Sequence, residues 1–385
     1  MALHDAGIQQ APDLRLGQKV WQLSWGLIVL IALVAGFGFA MLYSAANGSM
    51  EPWASRQVVR FGAGLVLLVV VALIDIRFWF RYAYAIYLGA LGLLVAVEIM
   101  GSIGMGAQRW INLGVIQLQP SEIMKVALVL GLARYFHGVA QENIPRPSFL
   151  LVPIAMALVP AALVLRQPDL GTAVMLLLAG AAVFFIAGVR WWKFAAVLVA
   201  VLSAIPIGWQ FLRDYQRRRV LTFLDPESDP LGSGYHILQS KIALGSGGVF
   251  GKGFMAGTQS HLNFLPEKQT DFIFTMLAEE LGMAGGLTLL ALYTLIFVYG
   301  AAIALRARNH FGRLLALGLT VNLFLYVFIN IAMVTGLIPV VGVPLPLISY
   351  GGTVMLTLMT AFGLTISVYV HRDTRIPRRG LRATT

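Results

Sequence analysis

Thr258-Gln-Ser-His-Leu-Asn-Phe-Leu-Pro-Glu-Lys-Gln-Thr-Asp271-Phe-Ile-Phe-Thr-Met-Leu-Ala-Glu-Glu-Leu-Gly282 begins as a polar, ionisable run and passes without a break into an apolar one. His261, Glu267, Lys268 and Asp271 fall in its polar half, and Glu279 and Glu280 follow about two helical turns on. Asp271 stands at the seam, just before Phe272-Ile-Phe274. A carboxylate there lies at the water–hydrocarbon boundary, where partial desolvation and neighbouring cations pull its protonation in opposite directions. One reading makes Asp271 a first-turn acid favoured by the helix dipole. The other makes it a group that moves a proton. The surrounding chain has to decide between them.

The chain has 385 residues, 58% hydrophobic and only 12% charged, with a mean hydropathy of +0.80. A soluble protein carries about 25% charged residues, so this is a polytopic membrane protein. There is no cysteine, which excludes disulfides, thiolate catalysis and cysteine metal sites. The six histidines are scattered without metal-ligand spacing. The net charge of +11 points first to anionic lipid surfaces and cytoplasmic loops, and not to nucleic acid; a phosphate-bearing lipid substrate would also suit it.

Ten apolar runs are long enough to cross hydrocarbon: 23–43, 58–75, 82–100, 120–137, 149–165, 172–188, 194–210, 272–303, 313–335 and 353–370. The first is too long for the core of a signal peptide and reads as a retained helix. The expected fold is therefore all-α, a single integral membrane domain of about ten helices. It has a polar segment at 1–22, one long loop at 211–271 and a basic tail at 371–385. With the N-terminus inside, the inner segments collect 16 of the 28 lysines and arginines, and the outer ones apart from the long loop hold 5. That asymmetry places both termini in the cytoplasm and the long loop outside. Tyr235 to Val249 reads as an amphipathic interfacial helix, with Leu238, Ile242 and Val249 on one face and His236, Gln239, Ser240 and Ala243 on another. No internal repeat is visible, which counts against a transporter built from symmetric halves.

Four outer stretches are more polar than a connection needs. Arg109 precedes Gln119-Pro120-Ser121-Glu122-Ile-Met-Lys125, where Pro120 suits a helix start. Lys125, three places after Glu122, shares its helix face; it is either the partner of Glu122 or a cation aimed into an outer cavity. Arg166-Gln-Pro-Asp169 reads as a kinked turn with an Arg166–Asp169 contact. Gln239-Ser240-Lys241 lies on the interfacial helix, and Pro344-Leu-Pro-Leu-Ile-Ser349-Tyr-Gly-Gly-Thr353 must leave helical geometry before the last span. Glu98 is a further buried-acid candidate.

Gln108-Arg-Trp-Ile, Gln119-Pro-Ser-Glu-Ile-x-Lys125, Gln167-Pro-Asp-Leu-Gly-Thr, Leu265-Pro-Glu-x-x-Thr-Asp-Phe and Ile348-Ser-Tyr-Gly-Gly together resemble the SEDS family (shape, elongation, division and sporulation proteins). The resemblance runs in order over nearly the whole chain, and the His261-Leu-Asn263 run resembles its RodA-like elongation branch. It implies a peptidoglycan glycosyltransferase that polymerises lipid II, the undecaprenyl diphosphate-linked disaccharide peptide, on the outer face of the cytoplasmic membrane. It also implies a class B penicillin-binding protein, a transpeptidase, as partner, alongside other membrane proteins of the elongation machinery. The family's essential acid falls on Asp271 and its functional lysine on Lys125. Lys268-Gln269, where many relatives carry a histidine, departs from the pattern and bears only on a proton relay there. The chemistry then asks Asp271 to act as general base, with Lys125, Arg109 and Lys241 as cations for the leaving diphosphate. Glu122, Gln239, Ser240 and Ser349 complete the expected substrate-binding set. No cofactor is required, and a divalent cation at the diphosphate is compatible with this chemistry. A flippase for lipid-linked precursors, a scaffold without chemistry and the division branch (FtsW) remain as alternatives.

Overall fold

The computed structural model describes residues 16–104, 107–112, 117–144, 146–211, 214–225, 233–262, 264–265 and 267–377. Asn263, on which the elongation-branch resemblance leans, and most of the basic tail lie outside them. In hydrocarbon each apolar run has to satisfy its own backbone, and helices do so. After α1 (Leu16–Trp21) come α2 (Trp25–Ala45), α3 (Ala54–Leu73) and α4 (Ile76–Met100). Strands β1 (Ser102–Gly104), β2 (Ala107–Asn112) and β3 (Gln117–Leu118) then form a small antiparallel sheet in that order. The chain continues through α5 (Pro120–Gly138), a 3-10 turn, α6 (Pro147–Arg166), α7 (Leu170–Ala187) and α8 (Trp191–Phe211). The long loop carries α9 (Asp214–Leu224), α10 (Ser233–Ser246) and α11 (Thr258–His261). Helices α12 (Ile273–Arg306), α13 (His310–Val334) and α14 (Gly352–Val370) follow.

Nine of the described helices are long and apolar enough to cross a membrane. Helix α5 takes the place of the remaining expected span; it carries Glu122, Lys125 and Arg134, but its neighbours bury most of its length. The chain is a multi-pass, helical membrane protein, and the small sheet is an addition that the apolar patterning does not announce. Helix starts follow their caps: Asp75, Asp169 and Asn309 accept the backbone N–H of Arg77 (2.7 Å), Thr172 (3.1 Å) and Gly312 (2.6 Å). Helices α3 and α14 approach closely, and a Cβ at Gly363 would stand 2.8 Å from Leu68 O. Helix α8 behaves differently. None of residues 191–210 is buried, and Trp192, Val197, Leu202 and Ile207 are all exposed.

Three expectations need correction. The 272–303 run is not one rod, because Gly282 (φ 66°, ψ −164°) splits α12 into a short piece and a long span. That backbone region is open essentially to glycine, and a Cβ there would overlap the backbone nitrogen of Gly251. The break leaves backbone groups without helical partners, and the glycine-rich 247–253 loop supplies them. Glu279 O and Glu280 O accept from Lys252 N and Gly253 N (both 3.0 Å), while Met283 N and Ala284 N donate to Gly248 O and Val249 O (both 2.9 Å). Second, Arg166 does not contact Asp169: it stands 3.9 Å from Glu98, and Arg109 takes Asp169 instead (3.6 Å). Third, α10 does turn Leu238 and Ile242 outward, but Ser240 and Ala243, expected on its polar face, are buried against the bundle.

Candidate functional site

Asp271 precedes α12 and is not part of its first turn: the first helical residue is Ile273, after Phe272 as cap. The dipole reading therefore loses its geometry. Asp271 lies in the half-buried turn 267–272, and three successive carbonyls of that turn are each held by a different group. Tyr350 N donates to Gln269 O (2.8 Å), Ser349 Oγ donates to Thr270 O (2.6 Å), and Asn330 Nδ2 donates to Asp271 O (2.9 Å). The Asp271 carboxylate lies against Gly342, with Oδ2 3.4 Å from where a Cβ would stand. Gly342 has φ 70°, so a side chain there would strain the backbone, although its Cβ would meet the acid only at ordinary contact distance. Ser349 also accepts from Leu345 N (2.8 Å), and Gln57 Nε2 donates to Ser349 O (3.0 Å). The irregular stretch before α14 is thus the cradle of the Asp271 turn.

The cations are distributed around this cradle. Arg60 on α3 sits over the Tyr350 ring at 4.6 Å and beside Gly352. Its Nη1 is buried without a hydrogen-bond partner among the described residues. Arg109 is held by Pro168 O (2.6 Å) and Gln167 O (3.4 Å) as well as by Asp169. This turn is close to the Asp271 side, since a Cβ at Gly171 would lie 2.7 Å from Val341 O, next to Gly342. Lys125 is 1% exposed and donates to Glu122 Oε1 (2.7 Å). Its ammonium stands 4.2 Å from the centre of the Tyr326 ring, whose hydroxyl donates to the second Glu122 oxygen. Lys241 is exposed, with its stem over Gly336, and Gln239 is half-buried on the same helix. Ser240 is fully enclosed: its proton goes to Val334 O (2.7 Å), so Thr275 Oγ1 donates to it (2.8 Å).

The acids beyond Asp271 anchor the loop. Glu279 accepts from Lys252 Nζ (2.8 Å), Gln259 N (2.9 Å) and Ser260 N (3.2 Å). Glu280 accepts from Ser44 Oγ (2.6 Å) and Met255 N (3.1 Å), with His261 Nε2 at 3.1 Å. Both carboxylates are fully buried, and such burial is tolerated because every oxygen is paired. Lys268 donates to Ser260 O (2.9 Å), and burial pushes its pKa below the ordinary lysine value.

The structure gathers Asp271, Ser349 and the Arg60–Tyr350 pair at one end of the bundle, with Arg109 one connection away. It sets Lys125 and Glu122 as a buried pair within α5, and Ser240 inside a helix contact. Arg60, Tyr326 and Asn330 were missed from the sequence. Asn330 did carry a signal, as one of two amides, with Asn322, within a largely apolar run. Arg60 was legible only as a positive charge on the outer side.

Comparison with known proteins adds an independent line. A family model described as a cell cycle protein, covering FtsW, RodA and SpoVE, matches residues 21–374. The chain is 49% identical over 352 residues to the peptidoglycan glycosyltransferase MrdB of Escherichia coli K12, covering 90% of this chain and 93% of that one. One chain of a peptidoglycan synthase complex, solved to describe how polymerization and crosslinking are coordinated, is similar with a TM-score of 0.81 at 34% identity. That match covers 92% of this chain and 99% of the other. The rod shape determining protein RodA of Thermus thermophilus is similar with a TM-score of 0.69 at 30% identity, covering 91% and 97%.

Proposed function

We propose a function for this chain from the premise that it belongs to the FtsW, RodA and SpoVE family of cell cycle proteins. It is a peptidoglycan glycosyltransferase of the elongation type, and its substrate is lipid II. The observation that carries the assignment of the site is the clamped turn that holds Asp271 at the end of the bundle. A turn held at three successive carbonyls sets where the Asp271 carboxylate stands. Asp271 takes the proton from the 4-hydroxyl of one sugar as that oxygen attacks C1 of another. The bond from C1 to the diphosphate breaks on the opposite face, so the anomeric centre inverts. A positioned base of this kind is worth about a hundred- to ten-thousand-fold. The departing undecaprenyl diphosphate carries the developing negative charge, and Arg60, Arg109 and Lys125 are the cations for it. A divalent ion at the diphosphate is compatible with this chemistry.

The reaction faces the outside of the membrane and both termini the cytoplasm, in keeping with the basic-residue asymmetry. The similarity to a chain of a peptidoglycan synthase complex supports a crosslinking partner, a class B penicillin-binding protein. Purified protein supplied with lipid II in vesicles tests the assignment. Glycan polymer is the expected product; translocation without polymer would make the protein a flippase, and neither would make it a scaffold.

A further inference from the structure

We infer that Asn330 is the positioning residue of Asp271, an assignment that rests on Asp271 being the base. Asn330 is fully buried on α13, eight places after the middle of an apolar span. An amide there is costly unless it is used. Its Nδ2 is used twice: it donates to Asp271 O (2.9 Å) and to Val343 O (2.7 Å). An amide nitrogen has two protons, so both are spent on backbone carbonyls from two different segments. One segment carries Asp271; the other carries Gly342, against which the Asp271 carboxylate lies. The 338–344 stretch has no regular secondary structure, and among the described residues no backbone–backbone hydrogen bond joins it to the 267–272 turn. Asn330 is thus the pin that fixes the acid relative to the surface it faces. The Ser349 and Tyr350 contacts fix Thr270 and Gln269 but leave the carbonyl of Asp271 itself to Asn330.

The remaining amide oxygen shows that packing is not the reason for this side chain. Asn330 Oδ1 is buried and has no hydrogen-bond partner among the described residues. A leucine of similar volume would avoid that cost, so what the amide supplies here is its two donors. An acid displaced by about 1 Å from the hydroxyl it must reach loses turnover about a hundredfold, while the groups that bind the lipid diphosphate keep their places. The effect therefore falls on kcat and spares KM.

The test measures polymerisation of lipid II by the full-length protein in vesicles, normalised to folded protein, for Asn330→Leu, Asn330→Ser, Asp271→Asn and the Asn330→Leu/Asp271→Asn pair. Leucine removes both donors and keeps the volume; serine keeps one short donor and serves if leucine does not fold. The expected result is kcat lowered at least tenfold by Asn330→Leu, with KM within twofold, a smaller loss in Asn330→Ser, and no polymer from Asp271→Asn or from the pair. Turnover within twofold of the parent in both Asn330 variants would overturn the assignment, as would a loss carried by KM. If Asp271→Asn itself polymerises normally, it is the base that fails and not the pin.

Discussion

At the scale of single residues, Asp271 and Lys125 make opposite demands on a mutant series. Asp271→Asn and Asp271→Ala are expected to insert, keep the fold and make no glycan polymer. Asp271→Glu is expected to lose most activity, because one added methylene moves the base within a turn whose carbonyls are pinned. A mere helix-dipole acid would give a stability loss of about 1 kcal/mol with polymer yield retained, and yield per folded protein is the measurement. Lys125 is different because it is already paired. Lys125→Met alone strands Glu122 as a buried charge and is expected to destabilise by about 3–5 kcal/mol. The Glu122→Gln/Lys125→Met pair is expected to recover most of that loss in thermal unfolding. If the recovered double variant still makes no polymer, Lys125 serves the diphosphate; if it polymerises, the pair is structural. The sequence made both residues conspicuous, since charge next to or inside an apolar run is rare. It left their partners open. Spacing brought Glu122 and Lys125 onto one helix face, but Tyr326 is remote in sequence, as is Asn330 from Asp271. Contacts across that distance are set by helix packing, which local patterning does not encode.

At the scale of elements, α12 is the informative case. Its apolar pattern runs on through Gly282, and glycine is common in this chain at 40 residues, so the break was not legible in the sequence. The signal was the paired acids Glu279 and Glu280, which no uninterrupted membrane span accommodates cheaply. They mark a short helix that lies under the 245–262 loop and belongs energetically to that loop. Gly282→Ala is expected to destabilise by about 1–3 kcal/mol from the backbone conformation alone, more once the overlap with Gly251 is included. Because the short piece begins two residues after Asp271, polymerisation should fall with it. Thermal unfolding and polymer yield, measured together, check both. A Gly282→Ala protein of normal stability would mean that the break relaxes into a straight helix without cost. The amphipathic helix α10 was legible in type and nearly in extent; which of its polar residues face inward was not, because Ser240 satisfies itself against Thr275 and Val334.

At the scale of the whole molecule, hydropathy carried the architecture. Runs of apolar residues long enough for hydrocarbon are the strongest signal a chain can hold, and they match the helices of the structure. Reporter fusions at Arg308 and Ser233 are expected to fall in opposite compartments, with both termini on the Arg308 side; a shared compartment would overturn the orientation. One helix stands apart from this packed whole. The 21 residues of α8 rise about 1.5 Å each, close to the roughly 30 Å of a bilayer core, and none of residues 191–210 is buried by the rest of the chain. A bundle resists a change in membrane thickness through its packing, whereas a lone helix answers by leaning, at a fraction of a kcal/mol per Å. Helices α9 and α10 come next in the chain, so a lean of α8 would be felt first where the loop that clasps Glu279 and Glu280 begins. Acyl-chain length would then act on the enzyme as a mechanical input, through its least supported strut.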